Sequence, residues 1–327
     1  MRKQIMIDGK VVDRYNSLEP SKTYAPEAIN QRHDKLRFLP FREHIARVCR
    51  IIDGTLSHEI PISKENSENE VISWEAVARS LHMACSISDL SADTTYVDIS
   101  ESWAWCGHAF DAAEADSEVA SKFMTGLVIF NFIWSALECV SVLASSNPRE
   151  TTNLTNKLVR DLEFLKEKPE GMPFFKETFL STWNHCRLSG DMQQDLHKVS
   201  KYLSHRLSIP SVRLLCRIRN KFAHGKFSVP FADDHGPLSK FDANKHPEIC
   251  RFYSAGRLAL FTIQSLLLKI VGDKEIFVPH VSDICWTQED EKCDLRIMLL
   301  HLHTIAPILP DGQLRLPFLI FPADHEY

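Results

Sequence analysis

The segment Arg217-Ile218-Arg219-Asn220-Lys221-Phe222-Ala223-His224-Gly225 collects side chains able to act on a phosphate ester. An imidazole titrates near neutrality, so His224 can exchange a proton with a ribose 2′-hydroxyl or a leaving 5′-oxygen. A guanidinium stays charged and presents forked donors, so Arg219 can hold a phosphate and stabilise its developing negative charge. Asn220 can orient either group through its amide. The reaction needs no metal and no cofactor. Its use of the 2′-hydroxyl restricts it to RNA and leaves a 2′,3′-cyclic phosphate and a 5′-hydroxyl. The competing reading is structural: His224 as a cation at a helix C-terminus, Arg219 as half of a surface ion pair.

Charge is segregated around this segment. Between Leu196 and Ala232 there is no Asp or Glu, while Lys198, Lys201, Arg206, Arg213, Arg217, Arg219, Lys221 and Lys226 carry positive charge in a chain of formal net charge −5. A positive face on an acidic body suits a polyanion, with Arg213, Arg217, Lys221 and Lys226 as the RNA contacts. The alternative is a solvated face paired with acids of neighbouring helices.

Five residues on a regular helix set Arg219 and His224 about 140° apart, and one histidine serves two proton transfers poorly. Both considerations favour a composite site in which a two-fold axis juxtaposes the same helix from two chains. Leu215, Ile218 and Phe222 form an apolar face available for core or dimer packing.

With Asn220 directly after the arginine and Gly225 directly after the histidine, the arrangement RNxxxHG on an apolar helix resembles the HEPN family. Arginine-to-histidine spacings alone recur at Arg37 to His44 and Arg296 to His301, so the fuller arrangement carries the resemblance. It covers about residues 120–272. The apolar helix FYSAGRLALFTIQSLLLKI at Phe252–Ile270 and the acid within FIWSALECV at Phe132–Val140 are similar to the family's pattern. The resemblance implies a helical bundle, a homodimer with two motifs in one cleft, endoribonuclease activity, and service as a toxin or abortive-infection effector with an antitoxin or regulatory partner. An inactive RNA- or protein-binding module is the alternative. Glu138 and Asn131, seven residues apart on one helix face, either face this site or satisfy one another and nearby backbone groups.

The elements that must position these residues read as mainly helical. Trp74, Val77, Ala78, Leu81 and Cys85 recur at helical steps, with Ser73 as an N-cap. Trp103–Ala115 is a weaker helix, Trp103 and Trp105 reading as core packing. Glu118–Ser145 is long and apolar, and Asn153–Glu167 and Pro173–Cys186 follow. Asp191 and Gln194 read as a cap and its partner opening one helix that carries Met192, Leu196, Val199, Leu203 and Leu207, separated by Pro210 from a helix Ser211–His224. Gly225 suits a helix C-terminus, and Ile249–Val271 is the last helix. IFVPHVSDI and QLRLPFLIF have strand composition interrupted by Pro279 and Pro317. The expectation is an arm and linker over 1–70, including the polar run Ser63–Glu70, a bundle over 71–272, and an extended or β segment over 273–327.

The chain of 327 residues, 44% hydrophobic and 25% charged, has ordinary globular composition. Nine cysteines without a CxxC pair fit reduced thiols in a cytoplasmic compartment. The N-terminus lacks the apolar region of a signal peptide. Met124–Ala144 has the length of a membrane span, but Asn131 and Glu138 within it favour a buried central helix and no membrane. His301, His303, Cys285 and Cys293 match no common zinc spacing, and no metal is expected.

Overall fold

The computed structural model describes residues 5–7, 10–12, 37–97, 102–150, 153–163, 165, 169–232, 246–279 and 292–305. The protein is mainly helical. Helix α1 (Phe41–Ile51) continues through a π-helical turn, Ile52–Leu56, into a last turn Ser57–Glu59. It is followed by α2 (Trp74–Ser86), α3 (Gly107–Ala144), α4 (Leu154–Glu163) and α5 (Phe175–Leu188). Then come α6 (Gln193–Ser200), α7 (Ser208–Ala223), α8 (Pro247–Val271) and α9 (Leu295–His301). Strands are short and occur in antiparallel pairs: β1 (Ile5–Ile7) with β2 (Lys10–Val12), β3 (Arg37–Phe38) with β8 (Thr304–Ile305), β4 (Ser63–Glu65) with β5 (Val71–Ser73), and β6 (Phe277–Pro279) with β7 (Lys292–Asp294).

Helix α8 is the axis of the core. Every residue from Ile249 to Leu268 is buried, because α3, α5, α1, α7 and α9 all pack on it. A helix apolar on all sides must be wrapped by protein or by lipid. Among the described residues two helices, α3 and α8, are long and apolar enough to cross a membrane, and they pack against each other. Glycine at 256 is required by the crossing of α1: a Cβ there would stand 2.7 Å from Phe41 Cζ.

The buried core extends beyond the boundaries expected at 71 and 272. Phe41, Ile45, Val48, Ile52 and Leu56 lie in the same cluster as Leu258 and Phe261, as do Leu295, Leu299 and Leu302. The stretch 1–70 is therefore not an arm throughout, and 273–327 is not wholly extended: α1 and α9 complete the bundle, and the β3–β8 pair ties the two together. Short apolar pieces bounded by prolines read as irregular in isolation, yet pack as helices once α8 offers them a surface. The polar run Ser63–Glu70 forms β4 and the exposed turn that leads into β5. QLRLPFLIF lies outside the described residues.

Local expectations meet mixed outcomes. Ser73 is the N-cap residue of α2, although its side chain makes no capping bond. The two helices expected over Trp103–Ser145 are a four-residue turn, Ser102–Trp105, and one continuous α3. Trp105 is 85% exposed, which overturns its reading as core. The helix expected to reach Leu207 ends at Ser200, and turns over Lys201–His205 replace its last part. Pro210 opens α7 rather than separating two helices, since first-turn N–H groups lack intrahelical acceptors and a residue without N–H costs nothing there.

One set of polar groups inside the core is joined to one another and to backbone carbonyls. His44 Nε2 meets Gln264 Oε1 at 2.8 Å, Gln264 Nε2 donates to the Leu299 carbonyl at 2.5 Å, and His303 Nε2 meets the Pro173 carbonyl at 2.8 Å. Burial, reinforced by the nearby Arg257 charge, holds His44 down to about 3. The Arg257 guanidinium sits 4.2 Å from the Phe38 ring centroid. Burial also keeps the Cys186 thiol protonated, up at about 12, and the Cys49 thiol at about 11.

Candidate nucleic-acid interface

Helix α7 buries Val212, Leu214, Leu215, Cys216 and Ile218 against the bundle. Leu215 and Ile218 are thus core residues within one chain, and half-buried Phe222 stacks on Phe227 with centroids 5.9 Å apart. The apolar face offered by the sequence for core or dimer packing serves the core.

The C-terminal end of α7 is closed by two reverse hydrogen bonds. Gly225 N–H donates to the Phe222 carbonyl at 2.8 Å and Lys226 N–H to the Lys221 carbonyl at 3.0 Å, with Gly225 at φ 61°. This is the Schellman arrangement, which needs a residue tolerant of the left-handed region after the cap. His224 occupies the cap position with its side chain exposed. Phe227 then turns inward and lies edge-on to Phe252, centroids 5.4 Å apart, and against the Arg251 guanidinium at 4.5 Å. Arg251 has no exposure and bonds Asp191 Oδ1 at 2.6 Å and Ser189 Oγ at 3.0 Å. Asp191 is therefore not the N-cap of α6, which is Met192; its carboxylate is committed to Arg251, and its carbonyl accepts from Lys221 Nζ.

The outward row of α7 carries Arg213, Arg217 and Lys221 at four-residue steps, with Asn220 and His224 beside it. Arg213 lies over the Tyr202 ring at 3.9 Å. Arg217 and Lys221 approach the Asp195 carboxylate of α6 at 3.6 and 3.9 Å. Acids just before the acid-free run thus partner part of the row, at distances and exposures where such pairs contribute about 0–1 kcal/mol. Lys198, Lys201, Arg206 and Lys226 are exposed. Of these, Arg206 donates to the Glu163 carbonyl at 3.1 Å.

Arg219 is half-buried and lies off this row. Helix α7 stays regular through Ala223, so its side chain leaves the axis about 140° from that of His224. Among the described residues no side-chain hydrogen bond or ion pair joins Arg219, Asn220 and His224. Glu138 of α3 lies within electrostatic reach of Cys216 on α7: burial chiefly pushes that thiol up to about 11, a Thr155 hydrogen bond opposes the shift, and Glu138 adds to it. No hydrogen bond joins Glu138 to Asn131, so the two do not satisfy one another. Among the described residues no group of three or more His, Cys, Asp or Glu side chains could hold a metal ion.

Sequence reasoning missed Arg251, Phe227, Tyr202 and Asp195, which hold or partner this helix. The only local signal was an arginine inside an apolar helix, a residue that is seldom buried unless paired. No family model, curated protein or solved structure matches the chain.

Proposed function

We propose that this protein is an RNA-binding protein of HEPN type that cleaves RNA without a metal. His224 is the proton-transfer group, and Arg219 holds the scissile phosphate with Asn220 orienting it. The observation that carries the reading is an exposed imidazole on a helix end closed by the Gly225 turn, at the edge of a row of cations. The turn fixes the backbone from which the imidazole projects, and proton transfer depends on such positioning. The divergence of Arg219 from His224 within one chain supports a site completed by a second copy, each supplying what the other lacks. On the HEPN resemblance, the biology is a growth-arresting toxin or abortive-infection effector, held in check by a regulatory partner.

The test is incubation of wild type and His224→Ala with mixed cellular RNA in EDTA, followed by chemical analysis of product ends. Cleavage by wild type alone, leaving 2′,3′-cyclic phosphates, is the expected result. RNA retention without cleavage by either would select the second reading, a catalytically silent RNA-binding module. That reading is favoured by the absence of any bond between the Arg219 and His224 side chains.

A further inference from the structure

The chain carries a second run of one sign, opposite to the first. Between Arg79 and Lys122 there is no Lys or Arg, and Asp89, Asp93, Asp111, Glu114, Asp116 and Glu118 lie in its described part. The structure gathers the described part of this run around the first turns of α3, with Phe110, Glu114 and Glu118 at four-residue steps on one face and Asp116 on another. Residues 90–94 are laced antiparallel along α3: Leu90 N–H to Thr125 Oγ1 at 2.9 Å, Ala92 N–H to Ser121 Oγ at 2.8 Å, Thr94 N–H to Ser117 Oγ at 3.1 Å. On and beside the first turns of α3, Tyr96 is 90%, Trp105 85% and Phe110 50% exposed. Phe231, 70% exposed, is brought alongside by the Ala232 N–H bond to Asp116 Oδ1 at 2.7 Å.

Several large aromatic side chains held in water on an ordered element mark an interaction surface. Its acids exclude RNA, whose phosphates they repel, and call for a cationic partner. The complement is present on the same chain: Lys198, Lys201 and Arg206 are exposed around the α6–α7 turn, with Leu203 44% exposed among them. The Ala232–Asp116 bond sets the chain leaving the C-terminal end of α7 on the flank of α3, whereas Lys198, Lys201 and Arg206 stand at the other end of α7, so the acidic and basic faces are separate surfaces of one molecule. A two-fold arrangement that sets the acidic face of each copy on the basic face of the other makes this complementary contact twice. Two cationic α7 rows meeting alone would repel.

We infer that the acidic aromatic face at the start of α3 docks on the basic α6–α7 face of a second copy of this chain. The inference rests on the second copy invoked in the preceding reading and on nothing else in it: a charge-dependent dimer that cleaves no RNA would sink that reading and leave this one standing.

The test is sedimentation velocity of the full chain at low and high salt, with two charge-reversed variants, Asp111→Lys/Glu114→Lys and Lys198→Glu/Lys201→Glu. Wild type is expected to dimerise at low salt and to dissociate as salt rises. Each variant alone is expected to be monomeric, and an equal mixture of the two to recover a dimer, because the reversed faces complement each other. Unchanged far-ultraviolet circular dichroism shows that the variants fold. A wild type monomeric at every salt and concentration, a dimer that survives either reversal, or a mixture that stays monomeric would overturn the proposal. So would labelled RNA whose binding is lost in Trp105→Ser, which would assign the face to nucleic acid.

Discussion

The Arg251 guanidinium lies 4.5 Å from the centroid of the Phe227 ring, and this contact seats the chain just beyond the α7 turn against the central helix. Arg251 has no exposure, and its one ion pair, with Asp191, is also buried. The position of His224 therefore depends on a buried charge some distance away along the chain.

Removing that charge should be costly. Arg251→Ala leaves the Asp191 carboxylate buried without its cation and takes the support from Phe227, and a loss of about 3–5 kcal/mol is expected. Urea unfolding followed by circular dichroism measures it. A change below 1 kcal/mol would show that the pair is solvated in solution.

Gly225 should be sensitive for a backbone reason. Its φ of 61° lies in the left-handed region, where a side chain costs about 1–2 kcal/mol. Gly225→Ala should lower stability by that amount, whereas His224→Ala, at an exposed position, should change it by less than about 0.5 kcal/mol. Thermal unfolding of the two variants side by side distinguishes a turn that needs glycine from one that does not.

Gly256→Ala tests whether α1 belongs to the bundle. The added methyl would meet Phe41 at 2.7 Å, and overpacking of this kind costs about 1–3 kcal/mol. Phe41→Leu in the same chain should recover part of the loss. An unaffected Gly256→Ala protein would detach α1 from α8.

The buried histidines set an acid limit. His44 and His185 are held at about 3, chiefly by burial and further by Arg257 and Arg251 respectively, against 6.5 when free. The unfolded chain thus takes up protons that the folded chain refuses as pH falls from 6.5 towards 3. Stability is full above that window and declines within it by about 1.4 kcal/mol per pH unit per histidine. Replacing His185 by Gln should flatten the dependence of the urea midpoint by about one proton. An unchanged slope would mean that His185 is protonated in the fold.

RNA affinity should fall with salt, and the exposed lysines should set how steeply. Lys226→Ala, at an exposed position beside the α7 turn, should reduce the slope of log affinity against log salt by about 0.7 for single strands. Lys221→Ala should change it less, since Lys221 already faces Asp195 and the Asp191 carbonyl. Equal effects at the two positions would show that the intrachain partners release Lys221 to the phosphates.

Most helices were legible because an amphipathic repeat is a local property: Trp74 through Leu81 in α2, Leu154 through Leu162 in α4 and the apolar run of α8 announce themselves within a few turns. The end of α7 was legible for the same reason, since Gly225 acts through its own φ and two bonds to the preceding turn. The acid-free run and its cations were read directly from residue types.

What tertiary structure decided was which of these charges is left to act. Asp191 looked like a helix cap, but capping competes with any stronger partner, and Arg251, 60 residues away, supplies one at 2.6 Å. Arg213, Arg217 and Lys221 find Tyr202 and Asp195 only because α6 folds beside α7, whereas Lys198 and Lys201 point outward. Helices α1 and α9 owe their place to a core assembled from both ends of the described chain, and Trp105 stands in water because α3 outruns the bundle that buries its second half. Periodicity along the chain determines secondary structure; partnership between distant charges and the reach of the core depend on packing, which no local window contains.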